Sequence, residues 1–122
     1  ATDAENAATA ANRAPLDAFQ VASVLVPDEE QRIRRVIVSA TDAPSSEFPH
    51  LIVLTGGTGF SARDITPEAV RPLLEREASG LVHVMLQESL KCTPYGWLSR
   101  PVAGTRKRTL IVTLPGSPRA VR

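Results

Sequence analysis

A glycine-rich loop is the first feature of this sequence that could bind a ligand. Gly56, Gly57, Thr58 and Gly59 directly follow the apolar run Leu51–Thr55. Because glycine has no Cβ and tolerates positive φ, such a loop brings backbone N–H groups close to a phosphate. The pattern predicts an anion-binding loop, and the alternative is a tight turn without a ligand.

Two common phosphate loops fit this stretch poorly. Gly57, Gly59 and Ala62 satisfy the G-x-G-x-x-A spacing of dinucleotide folds, but that motif needs a helix that opens at once, and the capping signal comes only at Thr66. A Walker loop ends in Gly-Lys-Ser/Thr, and no lysine occurs between Phe19 and Lys91. The sequence therefore excludes a P-loop nucleotidase and disfavours a dinucleotide site.

Two aspartates form the second candidate constellation. Asp28 and Asp64 each lie where a predicted strand-end loop meets the start of a helix. Carboxylates near phosphates are suitable ligands for Mg²⁺, which prefers oxygen and neutralises phosphate charge during nucleophilic attack. The alternatives are a helix cap at Asp28 and an ion pair between Asp64 and Arg63.

The remaining polar groups divide into candidates and structural residues. Ser99 and Arg100 could present a hydroxyl and a guanidinium to a phosphate or a polar ring. We interpret His83 as an ordinary core or surface histidine and the basic turn 106–108 as a solvated hairpin tip. Ser-His-Asp and Cys-His patterns do not stand out, so phosphoryl or nucleotidyl transfer fits better than acyl chemistry.

Composition limits the class of protein. The chain has 122 residues, a formal charge of +1 and a single cysteine. It has room for one domain, lacks the basic surplus of a dedicated nucleic-acid binder, and cannot form an internal disulfide or a multi-thiolate zinc site. The apolar runs are too short for a membrane span, and we expect a cytoplasmic protein.

The elements that must position these residues alternate between strand and helix. Residues 1–15 are predicted to be a flexible or weakly helical arm, and residues 16–122 the domain. The first predicted elements are a strand at 19–26 that ends at Pro27, a helix that begins at Asp28 with an Asp28–Gln31 capping box, and a loop at 41–50. A strand at 51–55, buried on both faces, follows, and then helices that begin at Thr66 and span 81–90. The last predicted elements are strands at 102–103 and 109–114 around a turn at 105–108.

This alternation predicts an α/β fold, a three-layer α/β/α sandwich with a mainly parallel sheet. Ligands of such sheets bind beyond the carboxyl ends of the strands. The loops after Val26, Thr55 and Leu114 are therefore the first places to expect chemistry.

Several ordered motifs resemble one family, the molybdopterin adenylyltransferases, which includes bacterial single-domain enzymes and the adenylyltransferase domain of gephyrin. The resemblance covers roughly residues 19–118. The motifs are Val26-Pro27-Asp28-Glu29, TGGTGFSARDITPE at 55–68, Met85-Leu86-Gln87-Glu88-Ser89-Leu90, Leu98-Ser99-Arg100-Pro101 and Leu114-Pro115-Gly116.

The resemblance implies a molybdopterin-binding-like fold and an enzyme that joins the terminal phosphate of molybdopterin to the AMP moiety of Mg-ATP and releases pyrophosphate. Asp28 and Asp64 match the family's acidic pair, which is associated with Mg²⁺ and catalysis. Gly56–Gly59 match the family's nucleotide-phosphate loop. Ser99 matches the serine beside the pterin, and Arg100 is next to it. Members are usually homotrimers. The alternative is a non-catalytic molybdopterin-binding or scaffold module, and a competence-damage-inducible or molybdenum-insertion type of domain is less compatible with Arg63-Asp64.

Members of the family also begin with a central strand and end in a long final helix, and neither is recognisable in this sequence. The resemblance therefore implies a C-terminally truncated domain in which a missing middle strand leaves neighbouring strand edges uncovered. It also implies a molybdenum-insertion domain or protein as a partner.

Overall fold

The structure is a computed structural model that describes residues 20–44 and 46–121, with the side chain of residue 120 left out. The predicted arm at 1–15 lies outside these residues. The helices are α1 Glu30–Thr41, α2 Thr66–Val70, α3 Ser79–Cys92 and α4 Pro118–Val121, with 3₁₀ turns at Arg71–Leu73 and Gly96–Leu98. The strands are β1 Leu51–Thr55, β2 Arg76–Glu77, β3 Ala103–Arg106 and β4 Thr109–Leu114.

The four strands form one mixed sheet in the order β1-β4-β3-β2. β1 pairs with β4 in parallel, whereas β3 pairs with both β4 and β2 in antiparallel fashion. The α/β class is confirmed, but the prediction of a mainly parallel sheet is wrong. The reason is that only Lys107 and Arg108 separate β3 from β4, and so short a connection can join only antiparallel strands.

The core lies between α1, α2 and one face of the sheet. Its buried side chains are Ile33 and Ile37 of α1, Ala69 and Val70 of α2, Val102, and Ile111 of β4, with Ile52 and Leu54 of β1 packed against them. Alternate residues of a strand point to opposite faces, so Leu114 belongs to the other face, where it lines a cavity with Val84 and Met85 of α3. Helices therefore approach the sheet from both sides.

β1 is buried on one face only. Ile52 and Leu54 pack on the core, whereas Leu51 and Val53 remain 53% and 47% exposed. The prediction of a strand covered on both faces is wrong, because β1 is the edge of the sheet that the described residues form and α1 covers a single side of it. The continuous apolar pattern of residues 51–55 predicts burial on both faces and does not show that the strand lies at an edge.

The predicted strand at 19–26 is absent from the described residues 20–26, which have no regular secondary structure. Val21 and Leu25 are 88% and 99% exposed. β-branched composition favours a strand, but a strand also needs a neighbour whose backbone pairs with it. Within the described part of the chain, no strand pairs with this segment.

Two helix starts differ from the predicted capping. α1 begins at Glu30 after Glu29, which makes no side-chain cap, so the Asp28–Gln31 capping box is not formed. Thr66 is the first residue of α2 rather than its cap. α3 includes the predicted helix at 81–90 and extends it by two residues at each end. The helices in the described part of the chain include none with the length and hydropathy of a membrane span.

Candidate active site

The glycine loop leaves the carboxyl end of β1 with two residues in the left-handed region. Gly56 has φ 94° and Gly57 has φ 67°, conformations that L side chains rarely adopt. Thr66 fastens the loop, because its Oγ1 donates to the Gly56 carbonyl at 3.0 Å and its N–H donates to the Gly57 carbonyl at 3.1 Å. A Cβ on Gly57 would collide with Thr66 Oγ1. The loop conformation thus depends on glycine at both positions.

Asp64 closes the second half of the loop. Its Oδ2 accepts the Ser61 N–H at 2.9 Å, and a Cβ added at Gly59 would lie 2.7 Å from the same oxygen. Hydrogen bonds from the Ser61 side chain and backbone, followed by a smaller one from the Gly59 backbone, lower the pKa of Asp64. The carboxylate is half-buried and ionised at neutral pH, and its remaining lone pairs can ligate a cation.

The segment that carries Ser99 and Arg100 meets the loop. Thr58 is buried, and its hydroxyl oxygen lies 3.3 Å from that of Ser99. The Arg100 N–H donates to the Thr58 carbonyl at 2.8 Å. Residues about forty positions apart in the sequence are therefore joined by one side-chain and one backbone hydrogen bond.

The Arg100 guanidinium is directed to protein acceptors. It donates to the carbonyls of Gly59 and Asp64, each at 2.8 Å, and to the carboxylate of Glu68, and it lies 5.3 Å from the centre of the Phe60 ring. The Arg100 hydrogen bond also lowers the pKa of Glu68. Glu68 lies within the motif at 55–68 but was not singled out as a site residue, because its partner Arg100 lies 32 positions away in the sequence.

Asp28 is not bonded to this unit. It is exposed and precedes α1, and it takes part in none of the hydrogen bonds or ion pairs among residues 20–44 and 46–121. The structure thus joins Gly56–Gly59, Asp64, Ser99 and Arg100 but does not bond Asp28 to them. The described residues also contain no cluster of three metal-ligating side chains. A Mg²⁺ ion here would need oxygen from Asp64, phosphate and water, which suits its preference for few carboxylates.

A cavity of about 610 Å³ opens beside the loop, within the usual range of small-molecule sites. Thr58, Gly59 and Ser99 line one end of it. The other walls come from α3, the 3₁₀ turn at Gly96–Leu98, the end of β4 and the chain after it, and include Val84, Met85, Glu88, Leu114, Gly116 and Arg119. The predicted loops after Thr55 and Leu114 therefore share one cavity. A ligand there would contact apolar walls and a polar end.

The basic turn is not a freely solvated tip. Arg106 is half-buried, and its guanidinium donates to Thr41 Oγ1 at 2.9 Å and to Asp42 at 3.2 Å. Lys107 pairs with the same carboxylate at 2.6 Å. The interpretation as a solvated tip is wrong for Arg106, because the end of α1 supplies acceptors that were invisible in the local sequence. His83 is exposed on α3, as expected for a surface histidine.

Known proteins resemble this chain over most of its length. A family model described as a probable molybdopterin binding domain matches residues 3–122. Gephyrin of Dictyostelium discoideum is 50% identical over 98 residues, which are 80% of this chain and 13% of that protein. The molybdopterin adenylyltransferase of Escherichia coli is 38% identical over 104 residues, which are 85% of this chain and 52% of the enzyme.

A solved structure agrees with these sequence matches. The molybdopterin biosynthesis enzyme MoaB of Thermus thermophilus has a TM-score of 0.74 and 48% identity, and the match covers 85% of this chain and 64% of that one. The chain spans about half the length of the bacterial adenylyltransferase it matches. The resemblance deduced from the motifs is confirmed: the chain belongs to the molybdopterin-binding domain family of molybdenum cofactor biosynthesis proteins.

Proposed function

We propose that this chain transfers the AMP moiety of Mg-ATP to the terminal phosphate of molybdopterin. An oxygen of the pterin phosphate attacks the α-phosphorus, the bond from that phosphorus to the β-phosphate oxygen breaks, and pyrophosphate leaves. The observation that carries the proposal is the bonded unit of the glycine loop, Asp64 and Ser99. Thr58, Gly59 and Ser99 of this unit line one end of the cavity. The relatives named molybdopterin adenylyltransferase support the same reaction.

Each part of the unit has a role that suits this chemistry. Such a displacement needs two polyanions held in line and their charge compensated, with little covalent help from protein. The bare backbone around Gly57 and Gly59 offers N–H groups to the nucleotide phosphates. The ionised Asp64 would hold Mg²⁺, which compensates phosphate charge when it is bound. Ser99 offers its hydroxyl to the pterin inside the cavity.

Asp28 has a less direct place in the proposal. The family resemblance assigns it to the acidic pair with Asp64, and its exposed position before α1 leaves its carboxylate available to a cation or a water. A homotrimer, a molybdenum-insertion partner and a cytoplasmic location also follow from the resemblance. These remain proposals for this chain.

The second candidate function is a non-catalytic molybdopterin-binding module. One observation favours it: among the described residues, no group of three or more metal-ligating side chains is placed to hold an ion. Such a module would keep the cavity and Ser99 but would not turn over ATP.

Turnover separates the two candidates. Purified protein is mixed with molybdopterin, ATP and Mg²⁺, and both adenylylated pterin and pyrophosphate are measured. We expect equal amounts of the two products and none without Mg²⁺. Pterin binding by calorimetry without either product would support the binding module and contradict the enzyme.

A further inference from the structure

We propose that Glu68 is a positioning residue for the glycine loop. Its carboxylate fixes the guanidinium of Arg100, and Arg100 in turn holds the carbonyls that shape the loop. The catalytic consequence rests on the proposed function, whereas the structural consequence can be measured without it.

Arg100 connects several points of a single segment. Its side chain bonds the carbonyls of Gly59 and Asp64, and its backbone N–H bonds the carbonyl of Thr58. A guanidinium is planar and presents its donors in a fixed fork, so its orientation decides which carbonyls it reaches. Glu68 accepts from both terminal nitrogens of that fork. Glu68 therefore sets the plane in which Arg100 reaches the loop.

Glu68 is itself held in place from its other side. Arg34 of α1 donates to the Glu68 carbonyl at 2.9 Å and to the Ala69 carbonyl at 3.2 Å. Arg34 also lies 3.6 Å from Glu30 on its own helix. Glu68 is therefore anchored to α1 through its backbone while its carboxylate reaches Arg100, unlike a free surface acid. This chain of contacts connects the helix that follows Asp28 to the loop that contains Asp64.

The orientation of one loop peptide follows from these bonds. None of the described peptides is cis, so the Gly59 carbonyl and the Phe60 N–H point in opposite directions. Because the carbonyl faces Arg100, the N–H faces away from the guanidinium, where it has no partner in the hydrogen bonds of the described residues. A backbone donor held in this way is suited to an anion such as a nucleotide phosphate.

The charge balance supports the same role. Glu68 compensates the charge of Arg100, whose guanidinium also makes a cation–π contact with Phe60. The N–H groups of Arg100 hydrogen-bond the loop carbonyls. The pKa of Glu68 is lowered mainly by the Arg100 hydrogen bond, so the carboxylate is ionised at neutral pH. Arg100 thus acts through the loop backbone and not as a direct phosphate ligand.

The test compares Glu68→Gln with Glu77→Gln. Glu77 pairs with Arg71 at 3.6 Å on the surface, where both side chains are about 60% exposed, so it is a matched control for the loss of an exposed carboxylate. Amide hydrogen exchange is measured for residues 57–64, and kcat and KM are measured for MgATP and for molybdopterin. Thermal melting reports whether each variant remains folded.

We expect the loop amides of Glu68→Gln to exchange roughly tenfold faster, which corresponds to about 1.4 kcal/mol of local opening. KM for MgATP should rise severalfold, KM for molybdopterin should stay within about twofold, and the control should match the unmodified protein. The Glu68→Asp variant distinguishes this role from a simple helix-dipole effect. It keeps the negative charge but has a shorter side chain that does not reach Arg100 in the same way, so we expect the loop amides to exchange faster than in the unmodified protein.

Unchanged loop exchange in Glu68→Gln would overturn the proposal, and so would complete recovery of the loop by Glu68→Asp. Arg100→Lys keeps the charge but removes the fork, and it should raise exchange at the same amides. If loop exchange responds as expected but the unmodified protein makes no adenylylated pterin, the positioning role stands and the proposed function fails.

Discussion

The hydroxyl oxygens of Thr58 and Ser99 lie 3.3 Å apart although 41 positions separate the two residues in the chain. This contact marks the place where the glycine loop meets the segment that leads into β3. Both residues also line the cavity of about 610 Å³. The two predicted halves of the site, nucleotide loop and pterin-side serine, therefore share one wall.

Ser99→Ala should affect the pterin more than the nucleotide. The variant removes a hydroxyl from the cavity, and loss of one neutral hydrogen bond costs about 0.5–1.5 kcal/mol. We expect KM for molybdopterin to rise by about three- to tenfold, while KM for MgATP changes little. Ser39→Ala on the exposed face of α1 is the control. Equal rises in both KM values would contradict the assignment of Ser99 to the pterin.

Asp64→Asn should abolish transfer without unfolding the chain. The amide oxygen can still accept the Ser61 N–H, but the group no longer carries the negative charge that would hold Mg²⁺. We expect kcat to fall by at least about a hundredfold, with far-ultraviolet circular dichroism unchanged. Near-normal turnover at saturating Mg²⁺ would remove Asp64 from the site.

Gly57→Ala should destabilise the protein, because the residue has φ 67° and a Cβ would collide with Thr66 Oγ1. The expected loss is about 1–3 kcal/mol of the free energy of unfolding. Gly80→Ala is the matched control: Gly80 lies in the first turn of α3 with open space around it, so alanine there should not lower the free energy of unfolding. Urea titrations measure both, and similar effects of the two substitutions would contradict the loop geometry.

The turn between β3 and β4 tests the backbone conformation at Lys107. Lys107 has φ 52°, which favours glycine, but its side chain also pairs with Asp42. Lys107→Gly loses the pair and relieves the strain, whereas Lys107→Ala loses the pair alone. The glycine variant should therefore be more stable than the alanine variant by about 1 kcal/mol, as measured by chemical unfolding. Equal stabilities would show that the turn relaxes.

Asp64 also predicts a dependence of stability on pH. Its folded pKa lies below the ordinary value of 3.8, so the folded state favours the ionised form. The resulting stabilisation is fully present above the unfolded pKa and is lost as pH falls through the folded pKa. Between pH 5 and pH 2, roughly the range in which carboxylates titrate, Asp64→Asn should lose less stability than the unmodified protein. Parallel stability curves would contradict the lowered pKa.

Local sequence patterns predict the elements whose own residues favour the structure that they adopt. β1 at 51–55, β4 at 109–114 and the long helix α3 agree with their apolar patterns, and the glycine loop adopts the positive φ values that its composition indicates. The family motifs assign Asp64 and Ser99 to one predicted site, and in the structure the loop that contains Asp64 contacts Ser99 through Thr58.

Three other features depend on contacts between residues far apart in the sequence, which local patterns do not predict. The segment 20–26 has strand-like composition, yet among the described residues no strand edge pairs with it. Leu51 and Val53 belong to an apolar run, yet their exposure depends on which helix covers the edge of the sheet. Glu68 was missed because its partners, Arg34 and Arg100, lie more than thirty positions away on either side.

The most direct test of the central claim is a titration of the isotope-labelled protein with ATP, followed by amide chemical shifts with and without Mg²⁺. We predict that the largest shifts occur at Thr58, Gly59, Phe60 and Ser61, that they saturate at lower ATP concentration when Mg²⁺ is present, and that Asp64→Asn loses this dependence on Mg²⁺. Shifts confined to residues outside 56–64, or an Asp64→Asn titration identical to that of the unmodified protein, would contradict the assignment of this loop as the nucleotide site.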